Sequence, residues 1–284
     1  MQNLKQYIRD LKVSLLALYD ADEASSIAKY YIQEKLALSS TDLIIKGDDI
    51  IQLEIYDFLE NDAKRLLSGE PVQYITNSAW FCDSKFYVDK SVLIPRQETE
   101  ILIREIVKSN ETKKNLNILD IGTGSGCISV SLKKAMPDSN VYAVDISENS
   151  LEVASKNASV NSVDIVFNQF DILSGENFPF DEKFDVIVSN PPYVTDSEKK
   201  VMHKNVTEFE PDIALFVGDE DPLLFYRGIL KIAKHALKKG GQIWFEINEN
   251  FSVQMIKLCS EEGFPKNSVI QDLNKKSRFI KSMR

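Results

Sequence analysis

The chain has 284 residues, 43% hydrophobic and 27% charged, the balance of a globular protein of one large or two modest domains. No apolar run approaches the roughly 18 residues of a membrane span, and the charge-interrupted N-terminus lacks a secretory pattern, so a cytoplasmic protein without a membrane partner is expected. A net charge of −9 argues against a general grip on nucleic acid, and three scattered cysteines with two histidines offer no pattern for a metal site or a Ser/His/Asp triad.

Residues 1–72 read as a small all-helical domain. Leu4, Ile8, Leu11, Leu15 and Leu18 fall at helical spacing. Ile27, Tyr31, Ile32 and Leu36 repeat the pattern over 22–38. A third helix is predicted from Asp49 to Leu67, with Ile51, Ile55, Phe58, Leu59, Leu66 and Leu67 inward, stopped by Gly69 and Pro71. Residues 1–70 hold 8 basic against 13 acidic side chains, which suits docking of a protein partner better than reading DNA. Residues 73–95 predict a β-hairpin connector, with Trp80-Phe81 and Phe86-Tyr87-Val88 flanking a turn at Asp83-Ser84-Lys85.

From residue 96 to 284, helices alternate with short apolar strands. The order is helix 98–109, strand 116–121, a glycine-rich turn and a helix up to Met136-Pro137. Strand 141–146, helix 148–160, a strand near 164–168 and strand 184–189 follow. Helix 222–238 precedes Gly240-Gly241, then come strand 242–247, helix 250–262 and a final pair of strands near 267–283. This alternation predicts a doubly wound α/β domain, its parallel sheet covered on both faces. Ligands of such sheets sit at the carboxyl ends of the strands.

Strand 116–121 runs into Gly122-Thr123-Gly124-Ser125-Gly126. Glycines there let backbone approach a ligand closely. The dinucleotide fingerprint G-x-G-x-x-G would need glycine at 127, where Cys127 stands, and there is no G-x-x-x-x-G-K-[ST] phosphate loop. Asp145, ending the next strand, is placed to accept both hydroxyls of a ribose. Asp171, read as ending the third strand, suits an adenine amino group, with Ile172 against the ring, and Asp120 suits an amino group. One such acid reads as a helix cap. Three at successive strand tips around a G-x-G-x-G turn point to a nucleoside ligand whose phosphate is not called for.

Strand 184–189 breaks at Ser189-Asn190-Pro191-Pro192-Tyr193. Pro191 restricts Asn190 to extended backbone, and Pro192 does the same to Pro191. Carbonyls freed at the break can point into a pocket. The Asn190 amide oxygen and the Pro191 carbonyl can hold both hydrogens of an –NH₂ group, and Tyr193 can stack on the flat group that carries it. The turn suits a planar amine or amide and leaves glutamine and adenine both open.

D-I-G-T-G-S-G, the acid at Asp145 and S-N-P-P-Y together resemble a class I S-adenosylmethionine-dependent methyltransferase acting on a planar nitrogen. G-E-P-V-Q-Y-I (69–75), L-I-P-R-Q-E-T-E (93–100), E-F-E-P-D-I-A-L (208–215) and K-K-G-G-Q-I-W-F-E-I (238–247) further resemble the HemK/PrmC family of release-factor glutamine N5-methyltransferases. The resemblance implies a Rossmann-like class I methyltransferase fold, a doubly wound, mostly parallel sheet with a terminal antiparallel strand, preceded by the helical domain. It implies S-adenosyl-L-methionine held by Gly122, Thr123, Gly124, Ser125, Gly126, Asp145, Asp171, Ile172 and Asn190, leaving as S-adenosyl-L-homocysteine. Asn190, Pro191 and Tyr193 would be catalytic. With Pro192 they would receive the glutamine of a Gly-Gly-Gln loop in peptide-chain release factors, with no metal and no nucleic acid involved. A glutamine methyltransferase for a large-subunit ribosomal protein is the nearest rival. An adenine N6-methyltransferase is weaker, because the extra domain is acidic and no basic target-recognition region is evident. The chain departs from the family's pattern at Asn77 (commonly Gly), Gln97 (Pro in P-R-P-E-T-E), Asp221-Pro222-Leu223 (a Gly-Leu pair) and Ile172 (aromatic in some members).

Overall fold

A computed structural model describes residues 2–284. Met1, the first residue of the expected helical domain, lies outside the described residues. The chain forms two compact units: residues up to Ser78 together with His203–Phe209, and Ala79–Met202 together with Glu210–Arg284.

The first unit is helical. In α1 (Leu4–Leu15) the Asn3 side chain caps the N-terminus by accepting the Gln6 N–H, and Leu4, Tyr7, Leu11 and Leu15 are buried along one face. Leu18 lies beyond the helix end and is exposed. Asp20 opens α2 (Ala21–Leu36), which buries Ala24, Ala28, Tyr31 and Ile32. The single helix expected over 49–67 is not formed. A short α3 (Ser40–Ile45) with a capping box from Ser39 and Asp42 comes first, and α4 begins only at Leu53 and ends at Leu67. Ile51 is buried ahead of α4, beside Ile50, which bridges to Asn3. The buried face of α4 is Leu59, Asp62, Ala63 and Leu66, whereas Phe58 and Leu67, expected inward, are 49% and 41% exposed. Asp62 takes a core place because Lys35 pairs with it at 2.9 Å and the Tyr31 hydroxyl donates to it at 3.3 Å. Gly69, at φ +90°, closes α4 as expected. A further helix, α5 (Val72–Thr76), occupies the start of the stretch read as a hairpin connector.

The second unit opens with β1 (Ala79–Phe81) and β2 (Ser84–Phe86), an antiparallel hairpin. Its turn is Cys82-Asp83, both at positive φ, as a two-residue hairpin turn requires, rather than Asp83–Lys85. There follow α6 (Thr99–Ser109), β3 (Asn117–Ile121), α7 (Cys127–Ala135), β4 (Asn140–Asp145), α8 (Glu148–Val160), β5 (Val166–Gln169) and β6 (Phe184–Ser189). The stretch without predicted elements holds β7 (Val194–Thr195), α9 (Asp196–Lys199), α10 (Lys204–Thr207, in the first unit), α11 (Asp212–Leu215) and β8 (Phe216–Val217). Strands β7 and β8 form a small parallel pair. Last come α12 (Leu224–Ala236), β9 (Leu237–Glu246), a 3₁₀ turn (Glu249–Phe251), α13 (Ser252–Glu261), β10 (Lys266–Gln271) and β11 (Ser277–Met283). Gly240-Gly241 lie inside β9, not ahead of it, where its register with β6 shifts.

The main sheet has the order β10-β11-β9-β6-β3-β4-β5. Strands β9, β6, β3, β4 and β5 run parallel, and the C-terminal β11 is antiparallel to both neighbours. This is the doubly wound, mostly parallel sheet with a terminal antiparallel strand that the resemblance implied. Side chains alternate between two apolar clusters, Leu119, Ile187, Ile243 and Phe245 on one face with α12 and α13, Ile118, Val186, Val188 and Trp244 on the other with α6 and α7. The chain leaves β3 for β4 on one side and returns to β6 on the other, which makes the tip of β3 the switch point where such sheets bind ligands. No helix among the described residues is long and apolar enough to cross a membrane.

Candidate functional site

Ile121 pairs with Ser189, so the glycine turn and the Asn-Pro-Pro-Tyr turn leave neighbouring strands at one level. The Ser189 hydroxyl locks them together by donating to the Ile121 carbonyl at 2.6 Å. A cavity of about 310 Å³ opens at these carboxyl ends. Its wall takes Gly122, Thr123, Gly124 and Ser125 from the turn after β3, Asp145 from β4, Asp171 and Ile172 from beyond β5, and Asn190, Pro191 and Pro192 from beyond β6. Gly126 and Tyr193 do not line it.

The glycines divide by task. Gly122 and Gly124 have φ of +73° and +54°, and a Cβ on either would meet no atom within 4 Å, so left-handed backbone faces open space. The Gly122 and Thr123 N–H groups donate to the Val144 carbonyl, and the Gly124 N–H donates to Asp145 Oδ2 at 2.8 Å. Gly126, at φ +78°, instead meets α8: a Cβ would lie 3.1 Å from Ala154 Cβ. It serves helix packing at the start of α7, not the cavity expected for it. Gly126→Ala is therefore expected to lower unfolding free energy by about 1–3 kcal/mol. Urea denaturation checks this, and an unchanged midpoint would contradict it.

The three acids also divide. Asp145 Oδ2 accepts from Gly124 and Oδ1 from the Ser147 N–H at 3.0 Å, and burial raises its carboxyl against these hydrogen bonds. Asp171 lies beyond the end of β5 rather than at its tip, and its Oδ1 accepts the Leu173 N–H at 2.8 Å. Gly228 on α12 makes room for this turn, since a Cβ there would lie 3.1 Å from the Ile172 carbonyl oxygen. Asp120 is fully buried inside β3 and does not line the cavity, which corrects the reading that it holds a ligand's amino group. Its Oδ2 accepts from the Thr123 hydroxyl at 2.7 Å and the Ser129 N–H at 3.2 Å, tying the glycine turn to α7, and its Oδ1 has no partner among the described residues.

Burial pushes the Asp120 carboxyl up from 3.8 to about 7. A folded-state value above the unfolded one means that the native state binds the extra proton between these limits. Its contribution is full below pH 3.8 and is lost as pH rises through about 7. Asp120→Asn removes this titration. Relative to wild type, the variant's unfolding free energy should rise by up to about 1.4 kcal/mol per pH unit across that window. A difference that stays constant from pH 4 to 7 in urea unfolding would exclude the effect.

Asn190 is partly exposed, and its carboxamide makes no hydrogen bond among the described residues. Tyr193 is tethered elsewhere: its hydroxyl donates to Glu246 Oε1 at 3.0 Å, and its ring packs against the Phe245 side of the core. Burial, then the Glu246 charge, push the phenol up, so it remains a donor.

The sequence assigned no site role to the rest of the wall. Ser91, Val92, Leu93, Pro95 and Arg96 line it, with Phe170 and Phe225. Arg96 pairs with the buried Glu210 at 2.7 Å, and the Ile94 N–H donates to the other Glu210 oxygen at 3.2 Å. The stretches L-I-P-R and E-F-E-P were visible as motifs, but only the fold shows that the second holds the first against the cavity.

The family model described as methyltransferase small domain matches residues 96–209, and that described as PrmC N-terminal domain matches 11–76. A release factor glutamine methyltransferase of Flavobacterium psychrophilum is 41% identical, over 98% of this chain and 98% of its own. Another, of Bacteroides thetaiotaomicron, is 40% identical over 100% of both chains. Among solved structures, the T. thermophilus 16S rRNA N2 G1207 methyltransferase in complex with AdoMet and guanosine shares the fold, with a TM-score of 0.52 at 16% identity, covering 73% of this chain and 49% of that one. With such identity along its whole length to proteins of that name, this chain belongs to the family of release factor glutamine methyltransferases.

Proposed function

We propose that the protein transfers the methyl group of S-adenosyl-L-methionine to the side-chain nitrogen, N5, of the glutamine in the Gly-Gly-Gln loop of peptide-chain release factors. One observation carries this: the unpartnered Asn190 carboxamide lines the same cavity as the open backbone of Gly122–Ser125 and the Asp145 carboxylate. The names and full-length identity of the relatives support the acceptor.

The residues fit the cofactor. Asp145, which in its ionised form only accepts, has lone pairs beyond those used by Gly124 and Ser147 for two ribose hydroxyls. Gly122 and Gly124 give a backbone surface with open space over it. Phe170 and Ile172 offer apolar wall for adenine, and Asp171 has an oxygen besides the one on Leu173 for its amino group. Bound there, S-adenosylmethionine would supply an electrophilic methyl group on a sulfonium and leave as S-adenosylhomocysteine.

The chain's own contribution is placement. A glutamine nitrogen is a poor nucleophile because its lone pair is shared with the carbonyl. Asn190 Oδ1 and the Pro191 carbonyl accept its two N–H groups and fix it toward the cavity, which lowers the entropic part of the barrier. Pro191 and Pro192 keep that carbonyl out of the ladder. Tyr193 orients the turn from outside the cavity. Among the described residues no strong base lines the wall: Asp145 and Asp171 are engaged by backbone N–H groups, and loss of solvation pushes the Cys127 thiol up to about 12. None is required, since an N-alkylated protonated amide is acidic enough to release its proton to water. We assign docking of the protein substrate to the acidic helices of residues 1–72, with 96–284 as the methyltransferase domain and 73–95 between them.

Incubation with labelled cofactor and purified release factors, ribosomal proteins and DNA, followed by mass mapping, tests the assignment. Label on a release-factor glutamine is expected. Label confined to a ribosomal-protein glutamine would replace the substrate, and label on adenine would overturn glutamine chemistry altogether.

A further inference from the structure

Glu246 is a buried acid that the mechanism above leaves unused. It is 1% exposed, at the last position of β9, the strand beside β6. Its Oε1 accepts the Tyr193 hydroxyl at 3.0 Å and its Oε2 accepts the Thr99 hydroxyl at 2.7 Å. The Tyr226 hydroxyl donates to its backbone carbonyl at 2.9 Å. Arg278 answers its charge from β11, where the next residue, Phe279, pairs with Glu246. Burying a carboxylate is costly even when it is hydrogen-bonded, and an apolar side chain of similar volume would fill the space more cheaply. The charge therefore calls for a reason beyond packing.

The turn supplies that reason. Two of its four residues are prolines, which donate no hydrogen bond, and Asn190 must keep its carboxamide free for an acceptor. Among the described residues, the two side-chain-mediated hydrogen bonds that reach the turn end at Tyr193: the hydroxyl on Glu246, and the carbonyl that accepts from Asn248 Nδ2 at 3.3 Å. Burial raises the Glu246 carboxyl, and the Thr99 and Tyr193 hydrogen bonds and the Arg278 charge oppose that rise; in its ionised form it holds a hydroxyl roughly twice as well as a neutral acceptor does. Asn248 is itself held by Glu198 at 2.8 Å. The turn thus hangs from the end of β9, and its stiffest attachment is Glu246.

We propose that Glu246 is a positioning residue for methyl transfer: by gripping the Tyr193 hydroxyl it fixes the Asn190–Tyr193 turn so that Asn190 and Pro191 meet the acceptor amide. It touches neither substrate nor cofactor, Thr99 braces its far oxygen, and the inference rests on the reading of the turn given above.

The test uses the full chain as wild type, Tyr193→Phe, Glu246→Leu, Glu246→Gln and the double variant Tyr193→Phe/Glu246→Leu. Methylation of a release factor and binding of S-adenosylhomocysteine are both measured. Tyr193→Phe and Glu246→Leu are each expected to lower kcat about tenfold while the affinity for S-adenosylhomocysteine changes less than about twofold. Because the two residues act as one device, the double variant should be no worse than the poorer single. Glu246→Gln, which keeps a neutral acceptor for the phenol, should fall between wild type and Glu246→Leu. Losses that multiply in the double variant, an unaltered kcat in Tyr193→Phe, or an affinity that falls in step with kcat would overturn the inference. A crystal structure of Glu246→Leu gives a readout independent of the acceptor. Residues 190–193 should be displaced while Gly122–Ser125 stay in place, and an undisturbed turn overturns the proposal. Wild type that binds the cofactor product but leaves release factors unmethylated would instead refute the assigned substrate, with the crystal structure still deciding the role of Glu246.

Discussion

Asn190→Ala is expected to lower kcat by about 10²–10³-fold while the dissociation constant of S-adenosylhomocysteine changes less than about threefold. The asymmetry follows from the site. Asn190 carries an amide oxygen that nothing in the described protein uses, so its removal leaves no buried group unsatisfied and costs little stability. The wall proposed for the cofactor is built from other strands: the glycine turn is held by Val144 and Asp145, not by Asn190. What disappears is the acceptor that holds one amide N–H of the glutamine in line with the cavity. A methylation assay at saturating release factor, with calorimetric titration of the cofactor product, measures both terms. Near-normal turnover would refute the catalytic assignment of the turn, because no other side chain in the wall can replace a neutral carboxamide acceptor at that point.

The sequence made the sheet legible because its strands are apolar runs closed by punctuation that has one physical meaning. Gly122–Ser125 and Pro191-Pro192 both follow strands that end abruptly, and both line the cavity at the carboxyl ends of the sheet. Identical letters nevertheless carry different tasks. Gly124 and Gly126 sit two apart in one motif, yet the first faces open space and the second faces Ala154. Asp120 and Asp145 both come near the ends of adjacent strands, yet Asp120, one position short of its strand's end, is fully buried and Asp145 reaches the cavity. Which neighbour a Cα meets is settled by tertiary packing, and no local pattern encodes it. Asp62 hid the true face of α4 for the same reason, since a paired acid in a core reads as a surface residue. The Tyr193–Glu246 and Arg96–Glu210 pairs join segments far apart in the chain and follow only from strand order and loop return.

Asp145→Ala should show the opposite balance to Asn190→Ala. Each Asp145 oxygen already accepts one backbone N–H, from Gly124 or Ser147, so the carboxylate shapes the glycine turn in addition to the ribose-binding role proposed for it. Its removal takes away the ribose acceptors and frees the Gly124 N–H to move. Hydrogen bonds to a charged group contribute about 1.5–3 kcal/mol each, so a loss of cofactor affinity of about 10²-fold or more is expected. At saturating cofactor kcat should fall less than about tenfold, because the acceptor amide is still held by the intact turn after β6. Asp145→Asn should be intermediate. One amide oxygen can serve Gly124 or Ser147, while the –NH₂ group faces the other backbone donor and repels it. Calorimetry with S-adenosylhomocysteine and steady-state kinetics over a wide cofactor range separate the terms. Unchanged affinity in Asp145→Ala would remove Asp145 from the cofactor site and leave the carboxylate a brace for the glycine turn. A fall in kcat as deep as that of Asn190→Ala would mean that the cofactor and acceptor halves of the cavity are not independent, despite resting on different strands.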